Sequence, residues 1–202
     1  MEITVRQAQR SDIPTLGRVL GLAFADDPII SWLLPDDASR ARRAALMFAT
    51  LARHDRIEHG GIDIAVDDSG EIVGAAMWEP PGYSSDRNNL RALPGLIRAF
   101  RSRLIAAGRM ADTLAAEHPH DPPHWYLASI GTLPTTRGKG YGKALLSARL
   151  DRCDAEGLPA YLESSKPENV PYYERFGFEV TAELDATGGG PPVWEMWREP
   201  RS

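Results

Sequence analysis

The sequence carries one cysteine in 202 residues, Cys153. That excludes an internal disulfide and any site built from several thiolates. Cys153 falls at apolar spacing in a stretch that reads as helix, the pattern of a packed small hydrophobe. Lysine is also scarce: of 23 basic residues, Lys139, Lys143 and Lys166 are the three lysines. No apolar run approaches the ~18 residues of a membrane span. The amino terminus, MEITVRQAQR, lacks an apolar stretch behind a basic start, so no secretory signal is read there and a cytoplasmic location is expected. With a net charge of −5 the chain has no positive excess for bulk contact with nucleic acid or an anionic membrane, and neither is expected as a partner. Five histidines show no ligand spacing, and no metal is expected.

What is there suits a soluble globular protein: 43% apolar and 25% charged residues, read as a single domain over 1–202. Residues 3–8 alternate as a strand. A helix follows to about Phe24, with Ser11-Asp12 as N-cap. Residues 25–37, broken by Pro28 and Pro35, read as loop. A helix is expected over 39–57, and 62–80 form two strands around Asp-Ser-Gly. Helical spacing returns over 88–117, interrupted near Pro94 and Gly108. Residues 124–133 read as a strand, with Gly131 marking a bulge or a close backbone approach. A helix over 140–156, a strand over 158–165, a short helix over 168–178 and two strands joined by ATGGGPP complete the order. This predicts an α+β fold with a mostly antiparallel mixed sheet of about seven strands and a parallel element at its centre.

The stretch GTLPTTRGKGYGKALL (131–146) gathers glycines and the two neighbouring lysines where a strand turns into a helix. The first N–H groups of a helix have no partner within it, and the dipole adds positive potential, so such a turn binds phosphate. Three motifs compete. A P-loop needs glycine where Arg137 stands and a hydroxyl where Ala144 stands. A dinucleotide fingerprint needs G-x-G-x-x-G, whereas Gly138, Gly140 and Gly142 are spaced G-x-G-x-G. The pattern [QR]-x-x-G-x-[GA] is filled by Arg137, Gly140 and Gly142.

This last pattern, the Leu133-Pro134 step before it and the later ENVPYYERFGF resemble the GNAT N-acetyltransferases. Residues 125–183, with AFADDP near the start, are similar to puromycin N-acetyltransferase and its actinobacterial relatives. The resemblance implies the GNAT fold, helices flanking the sheet, and acetyl-CoA as cosubstrate. It implies that the backbone of Gly138, Lys139, Gly140, Tyr141, Gly142 and Lys143 anchors the diphosphate, with Arg137 at its edge. It implies a parted strand in which Ile130, Gly131 and Thr132 hold the pantetheine arm. Asn169 is expected either to bond that arm or to cap its helix. Tyr173 is expected to protonate the leaving thiolate, because a phenol of pKa ~10 can give a proton to a thiolate whose conjugate acid lies near ~8.5. The neighbouring Tyr172 points elsewhere on a helix.

Glu163, at the end of a strand that should face the thioester, is the expected general base, with Glu79 the alternative. His124 is expected at the surface. The acceptor wall is expected from 24–37 and 78–83, with Phe24, Asp27, Trp32, Trp78 and Glu79 as contacts. Acids beside aromatics suit a cation with an apolar body. The reading is an N-acetyltransferase for a primary amine of a small molecule, acting in a ternary complex. Its alternatives are a protein or peptide N-acetyltransferase and a non-catalytic CoA-binding sensor. A homodimer is compatible with the sequence.

Overall fold

The computed structural model describes residues 3–83, 90–185 and 189–201. In chain order the elements are β1 (Thr4–Gln7), α1 (Ile13–Ala23), α2 (Pro28–Leu33), α3 (Asp37–Leu51), β2 (Ile62–Val66), β3 (Ile72–Glu79), α4 (Leu93–Phe100), α5 (Leu104–Glu117), β4 (Trp125–Thr132), α6 (Tyr141–Glu156), β5 (Ala160–Ser164), α7 (Val170–Glu174), β6 (Glu179–Leu184) and β7 (Val193–Arg198). The strands form one sheet in the order β1-β2-β3-β4-β5-β7-β6. β4 and β5 run parallel, because α6 returns the chain to the same end; the other neighbouring pairs are antiparallel. The expected α+β architecture is therefore present.

Helices cover both faces, which explains why β3 reads IVGAAMWE with little alternation. On one face Ile13, Leu16 and Leu20 of α1 and Phe48 of α3 pack on Ile62, Ile64 and Met77. On the other, Leu145, Leu146, Leu150 and Cys153 of α6 pack on Trp78, Leu162 and Phe178. The β2–β3 turn is held by the Asp67 carboxylate, which accepts from the N–H groups of Ser69 and Glu71. Among the described residues no helix is long and apolar enough to cross a membrane.

Four local expectations change. Residues 25–37 contain α2, whose N-cap is Asp27: its carboxylate accepts from Ile30 N–H at 3.0 Å. Pro28 therefore begins a helix, since its missing N–H is not needed in the first turn. The first helix is entered through a 3₁₀ turn, with Asp12 rather than Ser11 accepting from the Gln9 N–H. α3 ends at Leu51 and continues as a π turn (Ala52–Arg56) and a 3₁₀ turn (Ile57–His59). The helical stretch over 88–117 breaks at Arg101, with φ 52°, while Pro94 opens α4 and Gly108 runs through α5. Residues 88 and 89 of that stretch, and 186–188 of the final connection, lie outside the described residues.

Candidate active site

The centre of the sheet is open. β4 and β5 pair through Trp125↔Ala160, Tyr126↔Tyr161 and Leu127↔Leu162 and then part. The cause lies on the other side of β4, where β3 passes from Met77↔Ser129 to Trp78↔Leu127 and leaves Ala128 as an extra residue. Trp125 N–H donates toward β5, to Pro159 O, whereas Leu133 N–H donates toward β3, to Val73 O. Both are odd-numbered, and a regular strand would point them to the same side. The extra residue reverses the alternation, so the backbone groups of Ile130 and Thr132 face the gap. The bulge expected at Gly131 is thus at Ala128. Gly131 pairs regularly with Ala75 and turns its own backbone groups to β3. It is needed for close approach: a Cβ there would stand 2.6 Å from Cβ of Ala23 and 3.2 Å from the Phe24 ring.

β4 leads through Pro134 into the glycine turn. Gly138 (φ 77°) and Gly140 (φ 92°) adopt the left-handed backbone that other residues resist. Inside α6 the first N–H to reach a turn acceptor is that of Ala144, which donates to Gly140 O at 2.9 Å. The N–H groups of Gly140, Tyr141, Gly142 and Lys143 are thereby left without acceptors among the described residues, as the start of a helix requires. Lys139 departs from expectation, because its N–H donates to Thr136 O. The Tyr141 side chain is buried in the α6 core, so its backbone alone faces the turn. Lys139, Lys143 and Arg137 are exposed around the rim. The Tyr172 hydroxyl lies beside Gly142, 3.1 Å from where a Cβ would stand, and it is Tyr173, not Tyr172, that lines the cleft between the parted strands. Beside Gly138 the space is open, which leaves room for an anion near these amides.

Two cavities meet at the parted strands. A cleft of about 680 Å³ is lined by Ile130, Gly131, Thr132, Arg137, Asn169 and Tyr173. An apolar cavity of about 560 Å³ lies beneath α2–α5. Phe24, Asp27, Ala128, Ser129, Glu163 and Ser165 line both. Glu163 is held by Tyr126, whose hydroxyl donates at 2.5 Å, with the Tyr161 hydroxyl at 3.2 Å. Burial pushes its carboxyl up to about 7 against these bonds, with the charges of Glu195 and Glu79 adding to the rise. Tyr173 is buried, and burial raises its hydroxyl further above the ordinary tyrosine range, so it stays protonated. Asp27 is also buried and raised by burial, while the Ser165 hydroxyl donates to it. Asn169 lines the cleft and its side chain makes no capping bond to α7.

The acceptor wall is where the sequence reading fails most. Phe24 and Asp27 are at the junction. Trp32 is not: its ring lies under the Arg103 guanidinium at 4.5 Å, outside both cavities. Trp78 is fully buried on the α6 face of the sheet. Glu79 lines neither cavity and is ion-paired with Arg56 at 2.6 Å, so it does not stand in for Glu163 as a base. In their place Leu96, Phe100, Leu104, Ala107 and Met110 of α4 and α5 wall the cavity. Their spacing of three and four residues was visible in the sequence, but spacing shows a face without showing what it faces. Tyr126, Tyr161 and Lys166 were missed as well; single polar residues in or after a strand carry no signal of their own. His124 is buried between Tyr161 and Trp197 rather than at the surface.

Residues 28–178 match the family model described as acetyltransferase (GNAT) family. Over 99% of its length the chain is 30% identical to an uncharacterized N-acetyltransferase of Schizosaccharomyces pombe, of which 85% is covered. A crystal structure described as histone acetyltransferase HPA2 and related acetyltransferase, from Corynebacterium glutamicum, matches with a TM-score of 0.74 at 30% identity, over 100% of this chain and 98% of that one. The mycothiol acetyltransferase of Streptomyces griseus is 42% identical over 59 residues, 28% of this chain and 19% of that protein. With the glycine turn, the parted central strands and these matches in agreement, the chain belongs to the acetyltransferase (GNAT) family and is an acyltransferase.

Proposed function

We propose that the protein is an acetyl-CoA-dependent N-acetyltransferase that acetylates a primary amine of a small molecule with an apolar body, working in the cytoplasm. The observation that carries this reading is the meeting of a polar cleft and an apolar cavity at two carboxylates, the half-buried Glu163 and the buried Asp27. Acetyl-CoA supplies the acetyl group as a thioester. The free amides at the start of α6 hold its diphosphate, with Arg137 at the edge, and the backbone of Ile130 and Thr132 pairs with the amides of its arm. A backbone N–H freed by the bulge donates to the thioester oxygen as that oxygen gains charge. Glu163 takes the proton of the incoming ammonium, and Tyr173 gives its proton to the departing thiolate. Asp27 and Glu163 form the polar end of the acceptor cavity and orient the cation. Cys153 lies buried in the α6 core, away from the junction, so the amine attacks the thioester directly with both substrates bound.

The Corynebacterium relative is described as histone acetyltransferase HPA2 and related acetyltransferase and the Streptomyces one as mycothiol acetyltransferase, so the names of similar chains point to protein and to small-molecule acetylation alike. Here the walls formed by α4 and α5 favour the small acceptor over a peptide lying in an open groove. The test is thiol release from acetyl-CoA with a panel of aliphatic and aromatic monoamines, puromycin, polyamines and a lysine-bearing peptide. Apolar monoamines should accelerate release. Acceleration by the peptide alone would establish the protein-acetylating alternative. Binding of CoA with no release for any amine would establish the sensor alternative.

A further inference from the structure

Glu163 does not stand alone on its face of the sheet. In the β5–β7 register it lies directly opposite Glu195, itself buried. Two like charges facing each other across neighbouring strands repel. Between them stands the Tyr161 hydroxyl, 2.7 Å from Oε1 of Glu195 and 3.2 Å from Oε1 of Glu163. A phenol has one proton to donate and lone pairs to accept with. Its shorter contact is to Glu195. The other oxygen of Glu163, Oε2, already accepts from Tyr126 at 2.5 Å. The remaining contact, from Glu163 Oε1 to the phenol, is satisfied when Glu163 itself carries a proton and donates it to the Tyr161 oxygen. The chain of groups then reads carboxyl, phenol, carboxylate, each donating to the next.

We propose that Glu195, acting through the Tyr161 hydroxyl, is a positioning residue for acetyl transfer: the two facing carboxyl groups share the one proton that Glu163 takes from the substrate, and the phenol turns its hydrogen to Glu195 whenever that proton arrives. This rests on the reading of Glu163 as the base. In the step, an N–H bond of the ammonium breaks and an O–H bond forms on Glu163, with the electron pair left on nitrogen for the attack. The Glu163 proton can pass to the phenol oxygen as the phenol proton passes to Glu195, so no charge is created on Tyr161. Burial keeps that phenol protonated throughout, raised far beyond the ordinary range. After product leaves, the proton returns to water. The other groups around Glu163 are Glu79 on β3, paired with Arg56, and Asp27 with Ser165 at the junction. The His118 ring meets Tyr126 and Tyr161 edge-on.

The test is a pH titration of the free full-length chain by carboxyl ¹³C NMR with labelled glutamate, using Glu163→Gln to assign the signal. Glu195→Gln should lower the Glu163 midpoint by about one pH unit, the scale of a like-charge neighbour in a shared site. In a Tyr161→Phe background the same substitution should move it clearly less, because the route through the hydroxyl is gone. With an amine accepted in the panel, the acid limb of kcat/KM should follow the same direction in Glu195→Gln. No movement of Glu163, or an equal movement in both backgrounds, overturns the proposal. A coupled titration in a chain that acetylates no amine would refute the reading of Glu163 as the base while leaving the shared proton in place.

Discussion

Glu163→Gln should stabilise the protein above neutral pH while disabling it. Burial lifts the folded carboxyl from the ordinary 4.5 to about 7. The folded chain therefore holds this proton more tightly than the unfolded one. Between those two values the folded state binds more protons, so stability falls as pH rises, and above both values the full penalty applies. At 1.36 kcal/mol per pH unit the gap corresponds to roughly 3 kcal/mol. Glutamine has nearly the same shape; its oxygen can accept from one tyrosine and its amide can donate to the other hydroxyl. It carries no charge to desolvate, so it escapes the penalty. Urea unfolding of both proteins at about pH 5 and about pH 8 isolates the effect, because titrating groups that do not interact with Glu163 cancel in the difference between the two proteins. The variant should gain on the parent by roughly 2–3 kcal/mol between these conditions, since part of the gap already lies below pH 5. Over the same range the parent's acetyl transfer should rise with pH, as Glu163 loses its proton, and the variant's should stay low. A constant stability difference from low to high pH would refute the account of Glu163 as a carboxyl made basic by burial.

Three further outcomes follow from the geometry. Tyr173→Phe keeps the ring against Phe178 and removes the proton donor, so kcat should drop about 10²-fold or more with the KM for acetyl-CoA little changed, measured by thiol release. Gly131→Ala places a Cβ 2.6 Å from Cβ of Ala23 on α1, and urea unfolding should show a loss of about 1–3 kcal/mol; an unchanged midpoint would mean that α1 yields freely. Asp26 lies 3.0 Å from Lys166 and 3.6 Å from Arg137 at the mouth of the cleft, where it competes with an anion for both cations. Asp26→Asn should tighten CoA binding by up to about fivefold in calorimetry, less at high salt, in keeping with an exposed ion pair.

The glycine turn was legible in the sequence because everything it needs is local. Gly138 and Gly140 take backbone angles that other side chains resist, and the helix behind them leaves its first N–H groups free whatever packs around it. The order of strands and helices was legible for the same reason, since apolar spacing and turn residues act over a few positions. Tyr173 was found through a motif carried by its neighbours in and after α7.

Tertiary structure decided the rest. Whether Gly131 or Ala128 interrupts β4 depends on how β3 pairs with it, and β3 was formed much earlier in the chain. Trp32 and Trp78 read as binding aromatics, yet one is taken by Arg103 and the other by the α6 core, which no neighbour in sequence announces. The character of Glu163 comes from Tyr126, Tyr161, Glu195 and Glu79, carried on four strands, and from the removal of water. A carboxyl group's proton affinity is set by its surroundings in space, and chain order alone does not specify those surroundings until the sheet has brought them together.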